Sequence, residues 1–253
     1  MPDARTRGPY HHKSSNGICV PTEPFTTTDM IDDTTGDLTP RGRIAYARIT
    51  GAAADLIYRR GLSNTTLHDV RRAASVSGSQ LTHYFADKRA LVRGVIAWRR
   101  DQVMTLSTDG GLGRLDSFAA LQEWADRNVQ LQIDLNCSGG CIFGSLVGEL
   151  VRPDEDLRAD LTAVYDELIG LLRAGLTAMV KRGELRADAD PKHLARVLVA
   201  AHQGGSLLSQ TAQSIKPLRD ALNAAMQYVR SYATESPPAR AGGARRSMPK
   251  KPT

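Results

Sequence analysis

Three cysteines in 253 residues are too few to staple a chain of this size, so a disulfide framework is excluded as the source of its stability. No uninterrupted apolar run approaches the roughly 18 residues that a membrane helix needs. The first residues also lack the basic-then-apolar order of a secretory signal, and the expectation is a cytoplasmic protein with no membrane partner. Catalytic signatures are missing as well: there is no G-x-S-x-G elbow, no Walker-type loop and no H-E-x-x-H helix. The glycine-rich "GGLGRLD" follows a helical pattern rather than a strand, so it reads as a loop. Neither an enzyme activity nor a cofactor or metal is expected. Convincing strand alternation and internal repeats are absent too, which argues against sheet and solenoid folds.

What remains is helix. With 41% apolar and 24% charged residues the composition is that of a globular protein with a sizeable core. Apolar residues recur at helical spacing from Arg41 to Arg60, where Gly61 follows as a stop. Thr65 and Thr66 precede "LHDVRRAA", Ser77 precedes a short helix over Gly78 to Tyr84, and Asp87 precedes a longer one from Lys88 to about Met104. The hydroxyl or carboxylate of such residues accepts an orphan amide of the first helical turn. Beyond Gly110, Gly111 and Gly113, helices are expected at about Leu115–Leu135, Cys141–Val151, Asp154–Lys181, Pro191–Thr211 and Pro217–Tyr232. Pro153, Pro191 and Pro217 stand at starts or breaks, where proline is tolerated. The fold class expected is all-α. A tail over 1–38 and a basic tail over 234–253 are rich in Pro, Gly, Ser and Thr and read as disordered. The expected division is a small three-helix domain over 39–87, then a connecting helix and larger helical bundle over 88–233.

Charge is distributed unevenly along this plan. Residues 41–100 carry twelve Lys/Arg against three Asp, whereas residues 101–233 carry thirteen bases and seventeen acids. Cationic surface is therefore concentrated in the small domain, which points to a polyanion partner. Scatter of arginine over any protein surface is the plainer alternative, but the reversal of sign near residue 100 speaks against it.

The stretch "ASVSGSQLTHYFADK", residues 74 to 88, lies at the centre of the basic segment. Two helices joined by a tight turn, the second tipped with small polar residues, is a helix-turn-helix arrangement. Leu67, Val70, Ala74, Val76, Leu81 and Phe85 should brace the second helix from beneath. A major groove is about 12 Å wide, so the tip that enters it must be small and able to hydrogen-bond. Ser77, Gly78, Ser79 and Gln80 meet that need, and the glutamine amide is suited to a bidentate contact with adenine. Thr66, Tyr84 and Lys88 are placed for phosphate contacts that fix register, with Thr82 and His83 beside them.

The run "TTLHDVRRAASVSGSQLTHYFADKRALV" resembles the DNA-binding domain of the tetracycline-repressor (TetR/AcrR) family of transcriptional regulators. The likeness rests on Thr65-Thr66, Val76-Ser77, Gly78, Leu81, Tyr84-Phe85, Lys88 and Leu91, and covers about residues 41–90. Two departures stand out. Thr82 replaces a usual tyrosine, and in the bracing helix and turn Arg71 and Ser75 replace a small residue and a glycine. "GCIFGSLVGEL", "RGELRADADPKHLARVLVAAHQGG" and "LLSQTAQSIKPLRDAL" are similar to the regulatory domain of one large subset of the family.

The resemblance implies a homodimer on a palindromic stretch of double-stranded DNA, with a bundle that encloses a small apolar or amphipathic effector. The expected pocket residues are Phe118, Leu121, Trp124, Phe143, Val147, Tyr165, Leu168 and Leu172, with His202 and Gln203 as polar anchors. Each of these, taken singly, is better explained as simple core than as a ligand contact. Trp124 stands first among them, because an indole pairs an apolar face with one N–H donor. The resemblance places the dimer contact on the last two helices, where Leu198, Leu208, Leu222, Ala225, Met226 and Val229 form an apolar stripe and Gly205 permits close helix approach. The alternative for that stripe is packing within one subunit. Cys137 and Cys141 stand at C-x-x-x-C spacing without a His, Asp or second cysteine pair at ligand spacing, so small buried hydrophobes are expected. Cys19 and the His11-His12 pair fall in the tail and are expected to be inert.

The expected function is a ligand-responsive repressor. Its rival is an all-α carrier or enzyme whose basic face is incidental.

Overall fold

The structure, a computed structural model, describes residues 38–108, 114–138, 141–149 and 154–234. The two tails beyond Leu38 and Thr234, and the glycine loop before Arg114, lie outside the described residues. Among the described residues nine helices follow in order: α1 Pro40–Arg60, α2 Leu67–Ala73, α3 Gly78–Tyr84, α4 Lys88–Thr108, α5 Phe118–Asp134, α6 Ile142–Glu149, α7 Glu155–Lys181, α8 Pro191–Ala212 and α9 Lys216–Arg230. The described residues contain no strand, only one isolated bridge between Leu185 and Ala233. None of the described helices is long and apolar enough to cross a membrane. The all-α class is therefore the observed one.

Local chemistry sets the helix ends. The Thr39 hydroxyl accepts the Gly42 amide and Pro40 opens α1, where its missing N–H costs nothing. Gly61 and Gly183 follow α1 and α7 with φ of 81° and 73°, in the left-handed region that favours glycine. Asp154 and Asp190 cap α7 and α8 through their carboxylates.

Two apolar cores result. One lies among α5, the second half of α7, α8 and α9, with Leu121, Leu172, Leu176, Met179, Leu194 and Leu198 fully enclosed. The other lies under α1 to α4 and contains Ile49, Val70, Leu81, Phe85 and Val95. This second core does not stop at residue 87: Phe143 and Leu146 of α6 and Leu157, Leu161 and Val164 of α7 belong to it. The small domain is thus seated on the bundle through shared apolar packing, not hung from a linker.

Candidate nucleic-acid interface and effector site

Reciprocal capping holds both helices of the helix-turn-helix. The Thr66 hydroxyl accepts the Asp69 amide at 3.1 Å, and the Asp69 carboxylate accepts the Thr66 amide at 3.2 Å and the Thr66 hydroxyl at 2.6 Å. The hydroxyl bond from Thr66 is the main reason that the Asp69 carboxyl lies below the usual carboxylate range. In the next helix the Ser77 hydroxyl accepts the Gln80 amide at 3.1 Å, and Gln80 Oε1 accepts the Ser77 amide at 3.2 Å. Between them Ser75 takes φ of 51°. The position that is usually glycine keeps the left-handed backbone with a serine in place, a conformation that disfavours most L-residues.

Below the tip, Val70, Ala74, Val76, Leu81 and Phe85 are all buried. Above it, Ser77, Gly78, Ser79, Gln80, Thr82 and His83 are exposed, and a Cβ added at Gly78 would meet nothing within 4 Å. Gln80 keeps its Nε2 donors and, on Oε1, a second lone pair beyond the one used in the cap. The short helix α3 is therefore pinned from below and by its own caps, with a polar end turned outward.

The flanking residues differ from one another. Thr66 is exposed, but its hydroxyl is engaged in the cap. Tyr84 is half-buried, edge-on to Tyr46 with ring centroids 6.2 Å apart, and its hydroxyl lies beside Gly42 at the start of α1. Lys88 is half-buried and its ammonium donates to the Leu62 carbonyl at 2.7 Å, closing the α1–α2 loop against α4. The start of α1, with Arg41 and Arg43, thus stands next to Tyr84. Nothing in the reading of α2 and α3 had singled it out, although "TPRGR" carries a cap, a proline and two cations.

The cationic segment is not all free surface. Arg89 forms paired hydrogen bonds with Asp154 at 2.7 and 2.9 Å and also meets Asp156; Arg93 pairs with Asp160 at 2.6 and 3.1 Å; Arg100 pairs with Glu167. These arginines ladder α4 onto α7. Part of the charge asymmetry therefore serves an internal seam rather than a polyanion.

In the bundle, a polar chain runs between aromatic walls. The Tyr165 hydroxyl of α7 donates to Gln203 Oε1 of α8 at 3.3 Å, and Gln203 Nε2 lies 3.3 Å from His202 Nδ1. Trp124 of α5 faces His202 at 6.0 Å between centroids, and Phe143 of α6 meets Tyr165 edge-on at 6.3 Å. Burial pushes the His202 imidazole down to about 4 and raises the Tyr165 phenol. Leu121, Leu168 and Leu172 are buried in the surrounding core. Phe118 is partly buried against the same core, with the Arg230 guanidinium over its ring at 5.5 Å, whereas Val147 is 48% exposed. Cys137 is buried and Cys141 half-buried, both as free thiols, and among the described residues no three metal-ligating groups converge.

The apolar stripe assigned to dimer contact has a different place in the structure. Leu198, Leu222, Ala225, Met226 and Val229 are buried within the single chain, where they hold α8 and α9 to the core. Gly205 serves the same packing, since a Cβ there would lie 2.8 Å from Leu218 Cα of α9. An amphipathic stripe identifies which face is apolar, not which surface covers it. Leu208 alone among them is exposed, at 58%, beside Leu207 at 61%.

Comparison with known proteins adds a second line of observation. The family model described as "Bacterial regulatory proteins, tetR family" matches residues 49–95, and "Tetracyclin repressor-like, C-terminal domain" matches residues 114–226. The HTH-type transcriptional repressor KstR2 of Rhodococcus jostii is 29% identical over 166 residues, 65% of this chain and 76% of that protein. The HTH-type transcriptional repressor NemR of Escherichia coli is 26% identical over 172 residues, 66% of this chain and 84% of its own. A TetR transcriptional regulator from Chloroflexus aurantiacus superposes with a TM-score of 0.67 at 20% identity, over 77% of this chain and 98% of its own. Regulatory protein TetR from Rhodobacter sphaeroides does so at 0.65 and 22%, over 73% and 98%. At such identities the structural likeness speaks for the fold.

Proposed function

This chain belongs to the TetR family of DNA-binding transcriptional regulators, and from that premise we propose that it is a homodimeric repressor, released from a palindromic operator by a small apolar or amphipathic effector. The observation that carries the reading is α3, whose Ser77–Gln80 tip is exposed while Leu81 and Phe85 behind it are buried. Residues 39–87 act as the reading head, and residues 88–233 carry the effector site and the dimer contact.

Ser79 and Gln80 reach base edges, with Ser77, Thr82 and His83 beside them, while Tyr84 and the start of α1 meet the phosphate backbone. Lys88 contributes by holding the α1–α2 loop and lending its charge to the backbone nearby. The dimer contact shifts to the outward faces of α8 and α9, where Leu207 and Leu208 are exposed beside the small residues Ala200 and Gly204 of α8, and Ala224 of α9 is exposed as well. Two heads related by a two-fold axis then meet successive major grooves roughly 34–36 Å apart. An effector releases the DNA only as far as it binds the state with mismatched head spacing more tightly.

Selection from a random duplex pool tests the proposal. Enrichment of a palindrome with half-sites about one turn apart is the expected result. No enrichment, which the carrier or enzyme reading requires, contradicts it.

A further inference from the structure

His202 lies deep in the bundle and yet keeps part of its surface accessible. The hydrogen bonds around it decide which ring nitrogen carries the proton. Because the Tyr165 hydroxyl donates to Gln203 Oε1, the amide nitrogen of Gln203 is the atom that faces His202 Nδ1. An amide nitrogen only donates, so Nδ1 accepts and the ring proton stands on Nε2. One turn further along α8, Ser206 is fully buried and its hydroxyl has no hydrogen-bond partner among the described residues. The Trp124 ring lies against His202 and the Phe143 ring against Tyr165.

We propose that the Tyr165–Gln203–His202 relay selects an uncharged ligand with a hydrogen-bond acceptor, such as a ketone or ester carbonyl, on an apolar body. The inference rests on the effector-responsive reading and narrows the class of effector. Nε2–H is a single neutral donor with a fixed direction. A carboxylate placed against it is buried with no counter-charge in the relay. An ammonium likewise meets no carboxylate in the relay and would be buried against neutral groups alone. A hydrocarbon without an acceptor leaves the donor unmatched, at a cost in affinity.

The test uses the full-length protein and three eight-carbon probes, 2-octanone, octanoate and octylammonium. Imidazole 15N NMR, with the His202 signals assigned through their loss in His202→Phe, reads the tautomer and reports contact at Nε2. The expected result is a neutral Nε2–H ring at pH 6 whose Nε2 signal moves with 2-octanone, and binding of the ketone about tenfold or more tighter than either charged probe. Tyr165→Phe, which keeps the ring but frees the Gln203 amide to turn, should release the Nε2–H tautomer and weaken ketone binding about fivefold. A proton on Nδ1, equal or tighter binding of octanoate or octylammonium, or no binding of any probe overturns the proposal. Retention of operator DNA is scored separately. A ketone that binds selectively yet leaves the DNA complex intact rejects the effector reading alone, whereas DNA release by octanoate rejects the relay chemistry alone.

Discussion

The Glu149 carboxylate, at the end of α6, accepts the Ser63 backbone amide at 3.0 Å and lies within 3 Å of where a Cβ on Gly61 would stand. This contact joins the bundle to the loop that launches α2, across 86 positions of sequence. The same helix carries Phe143 against Tyr165, while a Cβ on its Gly144 would lie 3.3 Å from Gln203 Oε1. One short element therefore touches both the polar relay and the loop that leads into the helix-turn-helix.

Glu149→Ala should free the Ser63 amide. An exposed hydrogen bond contributes on the order of 1 kcal/mol, so native-state exchange at Ser63 should accelerate about fivefold. Amides in α9, remote from α6, should be unchanged. Equal acceleration in both places, or none at Ser63, contradicts the link.

The α4–α7 seam should weaken in acid. Hydrogen bonds from Arg89, ahead of its charge, hold the Asp154 carboxyl below the usual carboxylate range. A depressed carboxylate stabilises the fold at pH values above its ordinary pKa, and that contribution is lost as pH falls through the depressed value. Loosening of α4 from α7 is thus expected below about pH 4. Asp160→Arg should lower the melting temperature at neutral pH, and Arg93→Asp in the same chain should restore it in part. A double variant no more stable than Asp160→Arg removes the pair from the account.

His202 carries its own pH signature. Its imidazole falls from an ordinary 6.5 to about 4 on folding. As pH drops below 6.5 the unfolded chain takes up a proton that the folded chain refuses, so stability declines until about pH 4 and then levels off. The loss is on the order of 3 kcal/mol. Urea titrations across this range should show that slope in the wild type and a flatter one in His202→Phe. The same slope in both assigns it to other groups.

Leu207 and Leu208 are the large apolar residues that α8 leaves in water. Replacing both with Glu should leave helix content unchanged and convert a dimer to a monomer in sedimentation analysis, since like charges then face each other across the two-fold axis. An unchanged mass moves the dimer contact elsewhere.

Much of this architecture was written in local signals. Gly61 and Gly183 as stops, and Thr66, Ser77 and Asp87 as caps, are short-range physics: the Asp87 carboxylate accepts the Ala90 amide at 2.7 Å just where the pattern of residues asks for it. Long-range partners were not legible. Arg89, Arg93 and Arg100 read as surface cations because the acids that receive them lie some 65 positions away. Leu222, Met226 and Val229 read as a contact stripe because periodicity does not say whether a second chain or the same chain covers it. Val147 and Phe118 match their neighbours in residue type, and only the tertiary path turns one outward and sets the other beneath Arg230. Glu149 left no trace in sequence, since a lone carboxylate at a helix end has no distinctive spacing.

Sequence-specific reading by the tip of α3 is tested most directly by titrating Ser79→Ala/Gln80→Ala against a selected operator and an unrelated duplex at one salt concentration. Loss of base contacts should cut operator affinity about ten- to a hundredfold. Binding to the unrelated duplex, held by phosphate contacts alone, should stay the same. A double variant that still prefers the operator as strongly as the wild type contradicts the account.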